Sequence, residues 1–532
     1  MRFLFVIMVT VLAALSACAV RGTGPKDYDV VVYGATPGGI AAALAAARMG
    51  ERVCLVAVNS RVGGMMASGL GNTDAGNPDF IGGISAEVFA KIAAHYRRAY
   101  GETSPQYAAC RDGLRFEPHV AEAVFEKMLA DEEVELLRAW RLIELDASLN
   151  RINSILLRRN SDGSQRSIEG RFFIDATYTG DLFAEAGCPF YTGREGREVF
   201  DESLAGHLFQ HHETRLPLPG STHEGDSLIQ AYNYRLCLTD SVENSVPWPE
   251  PENYKPGDYR VLCEFIRLRR NSPRSGGELT PRDFLNIAPL PNRKYDLNNY
   301  GHCWLSTDLV GGSQGYPLGT WRERAGIEKA HREHILGLWK FLRTDPGIPA
   351  ELRAQFDRYR LAADEFTDNG NWPFQIYVRE ARRLHGEVTF TQHDATVDTL
   401  KNEAVGIGSY PMDSHATGPV RREYRWREGF FILPSRPYQI PYRIMVPTWM
   451  RNLLVPVCVS ASHVGYGTLR LEPVWMIMGH AAGTAASICL EFNCEVGECP
   501  VPVLQRELRS QGQIIAHDQA APWTDRSGTG SR

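Results

Sequence analysis

The chain has 11 cysteines but no Cys-x-x-Cys pair, which removes the ligand spacing on which small zinc sites and most iron–sulfur clusters are built. Spread over 532 residues, the cysteines are also too sparse for a disulfide framework, although Cys489, Cys494 and Cys499 stand close enough for one bridge. Basic tracts are missing as well. With a formal net charge of −6 and 23% charged residues, the surface is that of an ordinary soluble protein and not of one that grips nucleic acid. No internal repeat and no low-complexity linker divides the chain, so its length points to more than one structural unit, interleaved rather than strung in series. The hydrophobic content of 43% is enough for a large core.

The N-terminus reads as a targeting segment. Arg2 gives a positive start, residues 3–15 are apolar but too few to span a bilayer comfortably, and Leu15-Ser16-Ala17-Cys18 is a small-residue cleavage site ending in cysteine. Residues 1–17 resemble a bacterial lipoprotein signal, with Cys18 becoming the lipid-bearing N-terminus and residues 18–26 a short tether. An ordinary secretory signal with an incidental cysteine is the other reading. Both export the mature chain, and lipidation would hold it at the periplasmic side of a membrane or at the cell surface; Ala19 favours the outer membrane by the same resemblance.

What the chain does have is a strand, a glycine turn and an alanine-rich helix in succession, DYDVVVYGATPGGIAAALAAARMG at 27–50. Val30, Val31 and Val32 suit a strand buried on both faces. Gly34, Gly38 and Gly39 supply a turn that offers a diphosphate the backbone N–H groups of a helix N-terminus with no side chain in the way. Read as G-x-G-x-x-G, the pattern falls on Gly34, Thr36 and Gly39, with threonine where close backbone approach favours glycine. The strand at 52–56 should end in an acid for a ribose hydroxyl; Ala57 stands there, and Asn59 is the nearest substitute. Alone, such a loop also fits a structural turn in another α/β protein.

Its company narrows the choice. RVGGMMASGLGNTD at 61–74 is too glycine-rich for a helix and lets the backbone approach a flat ligand. RFFIDATYTGD at 171–181 is an apolar strand ending in small residues and an acid; Asp181 either accepts sugar hydroxyls or caps the helix that starts at Leu182. Residues 134–137, 140–146 and 152–158, with a turn at 161–163, read as an antiparallel excursion, and 119–131 as a helix. Residues 452–459 form another apolar strand, delivering Ser460-Ala461-Ser462-His463 and a turn, then RLEP at 470–473, then a small-faced helix at 476–490 whose N-terminus suits negative charge.

Together with FQIYVREARRLHGE at 374–387, these segments resemble the FAD-dependent oxidoreductase family of bacterial flavoproteins, some of whose members carry the label xanthan lyase. The resemblance spans nearly all of 27–491. It implies an α/β protein with FAD, covalent or not, on a Rossmann-like parallel-sheet domain of glutathione-reductase type, interleaved with an α+β substrate domain. The corresponding boundaries are 27–190 for the first part of the FAD domain, 191–411 for the substrate or cap region, 412–491 for the return, and 492–532 for a C-terminal extension. The resemblance places Gly34, Thr36, Gly38 and Gly39 at the pyrophosphate, with Asn59, Gly63, Gly64 and Met65 toward the adenosine ribose. It sets Ala176, Thr177 and Asp181 along the dinucleotide, and Ser460, Gly479 and Gly483 toward the flavin.

A flavin dehydrogenase that oxidises an alcohol needs a base for the hydroxyl proton while hydride leaves for FAD N5. His463, at the end of the last strand, is the first candidate, or else a histidine that only hydrogen-bonds cofactor or backbone. Asp413 and His415 are the second, as orienter and proton acceptor, or as the closure of a turn. Arg379, on an expected helix with Arg382 and Arg383, together with Asp308 and Arg470, suits an anionic substrate or salt bridges within the fold. Trp248, Trp304, Trp321 and Trp372 offer faces to sugar rings, although packing is a tryptophan's usual role. No second nucleotide fingerprint is evident and no metal is expected, so the electron acceptor should be something other than NAD(P). The leading expectation is an exported flavoenzyme acting on a small-molecule or carbohydrate hydroxyl. A flavin-dependent lyase or isomerase that returns the hydride, and a glycan-binding protein on a flavoprotein scaffold, are the alternatives.

Overall fold

The computed structural model describes residues 26–211, 213–270, 279–418, 420–421 and 426–517; the signal, Cys18, most of the tether and the tail from 518 lie outside them. β1 (Tyr28–Tyr33) holds Val30, Val31 and Val32 at 0% exposure, as a strand in mid-sheet covered on both faces must. It is followed by α1 (Pro37–Arg48), β2 (Val53–Ala57), α2 (Gly83–Tyr100), α3 (Pro118–Asp131) and β3 (Glu135–Arg138). β2 lies parallel to β1 with Cys54 opposite Val31, and β3 parallel to β2 with Leu136 opposite Leu55. The strand expected at 134–137 therefore belongs to the parallel sheet and not to the antiparallel excursion, because α2 and α3 ahead of it make a crossover.

The excursion itself is β4 (Trp140–Ser148), β5 (Arg151–Arg159) and the first half of β6 (Gln165–Asp175). β6 changes partners along its length. Residues 165–169 pair antiparallel with β5, whereas Gly170, Phe172, Phe173, Ile174 and Asp175 pair parallel with β1. After the short α4 (Asp181–Glu185), the chain leaves this sheet. It builds a second, antiparallel sheet from β7 (Leu236–Thr239), β8 (Ser245–Val246), β9 (Leu285–Leu290), β10 (Lys294–Asn299) and β11 (Arg360–Ala362), in the order β9-β10-β7-β11-β8. Helices α5 (Val261–Arg270), α6 (Trp321–Thr344) and α7 (Ala350–Asp357) accompany it.

Three of the four tryptophans considered for sugar stacking pack on other aromatics. Trp248 stacks on Trp339 with ring centroids 4.4 Å apart, Trp304 meets Phe265 edge-on at 5.8 Å, and Trp372 meets Tyr234 at 5.4 Å.

The chain rejoins the first sheet as β12 (Leu453–Leu454), parallel to β6, which completes the order β3-β2-β1-β6-β12. The segment expected as a turn is helical from its fourth residue, as α8 (His463–Leu469), and α9 (Glu472–Phe492) follows. By length and composition α9 could cross a membrane, yet it is buried from Glu472 to Leu490 inside the protein and is a core helix.

Gly479 and Gly483, expected toward the flavin, lie against α1. A Cβ at Gly479 would lie 1.9 Å from the carbonyl oxygen of Gly38, and one at Gly483 would lie 2.2 Å from that of Ala42. α9 thus runs alongside α1 in the same direction, backbone to backbone, with both N-termini at the same end of the sheet. The bridge permitted at Cys489, Cys494 and Cys499 is not formed, all three being free thiols.

Replacing Gly479 by valine should force the two helices apart and lower the unfolding free energy by at least about 3 kcal/mol, beyond the usual range for overpacking, because the clash is with backbone. Gly257→Ala, where a Cβ meets nothing within 4 Å, should shift it by no more than about 0.5 kcal/mol. Urea denaturation of the two variants makes the comparison.

Candidate active site

A cleft with a cavity volume of about 130 Å³, open to solvent, lies beyond the carboxyl ends of β1 and β6, where α/β sheets take their ligands. Gly34, Thr36, Asn59, Gly64, Thr177 and Asp181 line it. Thr36 explains its own presence in a glycine position. It is the N-cap of α1: its hydroxyl accepts the Gly39 N–H (3.1 Å) and donates to the Ala176 carbonyl (2.8 Å), tying the helix start to the end of β6. Gly34, at φ +113°, has the Ala176 carbonyl carbon 2.6 Å from where a Cβ would be. Gly39 would place its Cβ 1.9 Å from the Gly34 oxygen. These glycines serve the close approach of strand and helix.

Ala57 carries no acid, and an amide stands two residues later. Asn59 lines the cleft and donates from Nδ2 to Oε1 of Gln375, another lining residue, at 3.0 Å, so a pair of amides stands where a carboxylate was expected. Among Gly63, Gly64 and Met65, only Gly64 lines the cleft. Gly63 packs against the Phe125 ring of α3, and Met65 is buried with its N–H donated to the Tyr178 hydroxyl at 3.0 Å. Ser460 is fully buried, accepting the Gly386 N–H at 3.1 Å, and does not line the cleft.

Asp181 neither caps α4 nor keeps oxygens free for hydroxyls. Arg324 grips it with two contacts of 2.8 Å, Arg382 donates to it at 2.8 Å and Thr179 at 2.7 Å. Burial would raise its carboxyl, but Arg324 and then Arg382 hold it below the ordinary value. The cap is Asp175, whose Oδ2 accepts the N–H groups of Leu182 and Phe183 at 2.9 Å each and whose Oδ1 accepts the Thr177 hydroxyl at 2.7 Å. Burial lifts the Asp175 carboxyl to about 6, against the pull of those hydrogen bonds. An acid six residues before a helix carries no capping signature in sequence.

A second cluster holds the candidate bases. His463 is buried; its Nδ1 lies 2.8 Å from Oε2 of Glu380, its Nε2 lies 3.3 Å from the Ser414 hydroxyl, and its N–H is donated to Glu195. Both ring nitrogens are therefore engaged by the fold. Burial alone would raise the Glu380 carboxyl; the charges of His463 and Arg383 more than offset it and hold it at about 2. His415 is paired differently from the sequence expectation. Its Nδ1 lies 2.6 Å from Oδ2 of Asp308, whereas Asp413 is 4.0 Å from Nε2 and is tied to Arg470 at 3.1 Å. Asp308, placed among substrate ligands by sequence, is thus the orienter, and its other oxygen lies 3.0 Å from Arg379. Burial and the nearby Arg379 charge push the His415 imidazole below its ordinary value. Arg379 is not on a helix: residues 379–382 have no regular structure, and Arg383–Leu384 is a short strand paired with Phe190–Tyr191.

A family model described as FAD dependent oxidoreductase matches residues 29–508. The chain belongs to this family. Among solved structures, the chain is similar to the myxobacterial chondrochloren halogenase CndH, described as FAD-dependent, at 12% identity, covering 91% of this chain and 80% of that one with a TM-score of 0.38. It is similar to a glycerol-3-phosphate dehydrogenase from Bacillus halodurans complexed with FAD at 12% identity, covering 35% and 43%, with a TM-score of 0.22. For AlpK the values are 14% identity, 52% and 44% coverage and a TM-score of 0.27, so the chain spans less than half the length of these last two. Among curated proteins none matches the chain.

The cleft of this FAD-dependent oxidoreductase fits its cofactor. Arg141, which lines it, has a buried Nε with no hydrogen-bond partner among the described residues, a donor suited to a diphosphate. Trp321, the one candidate tryptophan in the cleft, lies beneath the guanidinium groups of Arg141 (4.5 Å) and Arg324 (5.1 Å). Glu472, the first residue of α9, accepts the hydroxyl proton of the cleft residue Tyr178 at 2.7 Å, while its Oε2 is buried with no partner. Burial raises its carboxyl to about 8, so at neutral pH it is an acid able to donate.

A carboxyl held lower in the folded chain than in the unfolded one contributes stability that is complete above its ordinary value and fades as the pH falls toward the folded one. For Glu380 that window runs from 4.5 down to about 2. Glu380→Gln should therefore lower the unfolding free energy by on the order of 3 kcal/mol at pH 7, and by clearly less at pH 3. Urea titrations at the two pH values test this.

Proposed function

We propose that the protein is an exported, lipid-anchored flavoenzyme that oxidises a hydroxyl of a small molecule, carbohydrates included, and passes the electrons to an acceptor other than NAD(P). The signal-like segment ending at Cys18 supports the location. The observation that carries the chemistry is the His415–Asp308 pair. With Nδ1–H donated to Asp308, the neutral imidazole turns Nε2 outward as a proton acceptor. His415 keeps some exposure, 9% against 2% for His463. That difference, and the engagement of both nitrogens of His463, supports His415 as the proton acceptor and His463 as a positioning residue.

FAD, when bound, supplies the hydride acceptor at N5. Gly34, Thr36, Gly64 and Arg141 would hold its diphosphate, and Asn59 with Gln375 its adenosine ribose. Arg324 and Arg382 keep Asp181 neutralised at the cleft wall. His415 takes the hydroxyl proton of the substrate while Asp308 stabilises the imidazolium that forms.

Anaerobic mixing of the FAD-loaded protein with sugars, uronic acids and polyols should bleach the flavin with at least one of them. His415→Gln should slow that bleaching by about 100-fold or more with FAD retained; a full rate in this variant would return the base to His463. Because the His415 imidazole lies below 6.5, the rate should be level above that pH and fall below it as the ring protonates. Steady turnover with no added acceptor would point instead to internal return of the hydride.

A further inference from the structure

Arg379 is at 0% exposure, yet two of its three guanidinium nitrogens, Nε and Nη2, have no hydrogen-bond partner among the described residues. Its Nη1 alone is engaged, donating to the Ala231 carbonyl and lying 3.0 Å from Asp308. The unanswered pair forms the edge with which arginine grips a carboxylate side-on. Two other buried arginines of this protein use that edge: Arg194 holds Asp226, and Arg235 holds Asp296, each through Nε and Nη2. Arg379, buried like both of them, has the same edge and no acid on it.

Charge around it points the same way. Arg427 is also buried, donates Nη2 to the Cys303 carbonyl and has no partner for Nε among the described residues. Its charge and that of Arg379 both bear on the single carboxylate of Asp308. The Arg379 guanidinium lies 4.8 Å over the Tyr377 ring, whose hydroxyl is 3.4 Å from Nη1 of Arg470. The cluster reaches the surface at Asp413, which is half-buried and tied to Arg470, and at His415, which retains some exposure. Asp308 bridges the parts, with one oxygen on Arg379 and the other on Nδ1 of His415.

We propose that the Nε–Nη2 edge of Arg379 receives a carboxylate of the substrate, so that this oxidoreductase acts on hydroxy acids or uronic acids in preference to neutral sugars and polyols. The inference rests on the reading of His415 as proton acceptor: a carboxylate on Arg379 holds the rest of the substrate beside the imidazole that shares Asp308 with it.

The test uses the full-length FAD-loaded protein under anaerobic conditions, with glycolate and D-glucuronate as probes and glycolamide and D-glucuronamide as their uncharged counterparts. Binding is read from flavin difference spectra and tryptophan fluorescence, independent of turnover. At least one acid should bind about 10-fold or more tightly than its amide, and Arg379→Lys, which keeps the charge beside Asp308 but removes the edge, should lose that preference with FAD content unchanged. Equal binding of acid and amide, or binding of neither, would overturn the proposal in the unsubstituted protein, whatever the variant's stability. Loss of FAD from Arg379→Lys would overturn it by giving the edge to the cofactor, and so would a retained preference. Acids that bind without bleaching the flavin would leave the proposal standing and sink the dehydrogenase reading; bleaching by polyols alone, without acid preference, would do the reverse.

Discussion

The structure depends on one close contact, in which the carbonyl oxygens of Gly38 and Ala42 lie where side chains at Gly479 and Gly483 would begin. It lets α1 and α9 pack side by side, backbone on backbone, and brings their N-termini to one end of the parallel sheet. The helix behind the first glycine turn and α9 are thereby held together, although more than four hundred residues separate them. Tyr178 extends the tie sideways: its hydroxyl accepts from Met65 in the glycine-rich loop and donates to Glu472 at the start of α9. Three segments distant in sequence are thus fixed to one another before any cofactor is considered.

Behind this frame lies a set of buried charges whose arrangement is directional. Asp181 takes Arg324 and Arg382, Asp308 takes Arg379 and His415, and Glu380 takes Arg383 and His463. Such groups are weak sources of net stability, because desolvation offsets most of their attraction, but removing one partner leaves a strongly disfavoured charge behind. Their geometric effect is to set which nitrogen of each imidazole carries a proton and which way each ring points. The two histidines are built alike, each with an acid on Nδ1, and differ in what Nε2 meets: the Ser414 hydroxyl for His463, and a half-buried region near Asp413 for His415.

What the sequence disclosed was local. β1, the glycine turn, α1, β2, α3 and the strands from 135 to 175 were legible because burial on both faces, glycine at tight turns and helical periodicity act over a few residues. The family resemblance extended this to the fold and to FAD. The pairings inside the site were not legible, since Asp181 lies 143 residues from Arg324 and Asp308 lies 107 from His415. Gly479 and Gly483 misled for a different reason: a small residue looks the same whether a cofactor or another helix comes close. Asp413 misled through proximity, since a neighbour at two residues' remove is a natural partner for His415 until the fold offers Asp308. Asp175 went unnoticed because its carboxylate reaches forward to Leu182 and Phe183 across a turn, outside any capping spacing.

The partner of α1 is nearly the last helix of the described chain, and β12 is the last strand to join the parallel sheet. On a chain that emerges N-terminus first, whether from a ribosome or across a membrane, the alanine face of α1 and the edge of β6 stay uncovered until almost the whole protein has followed. Contacts of such separation are slow to form and leave apolar surface open to aggregation in the interval. A truncated product or a stalled intermediate would leave α1, and the glycine turn at its start, without the helix it packs against.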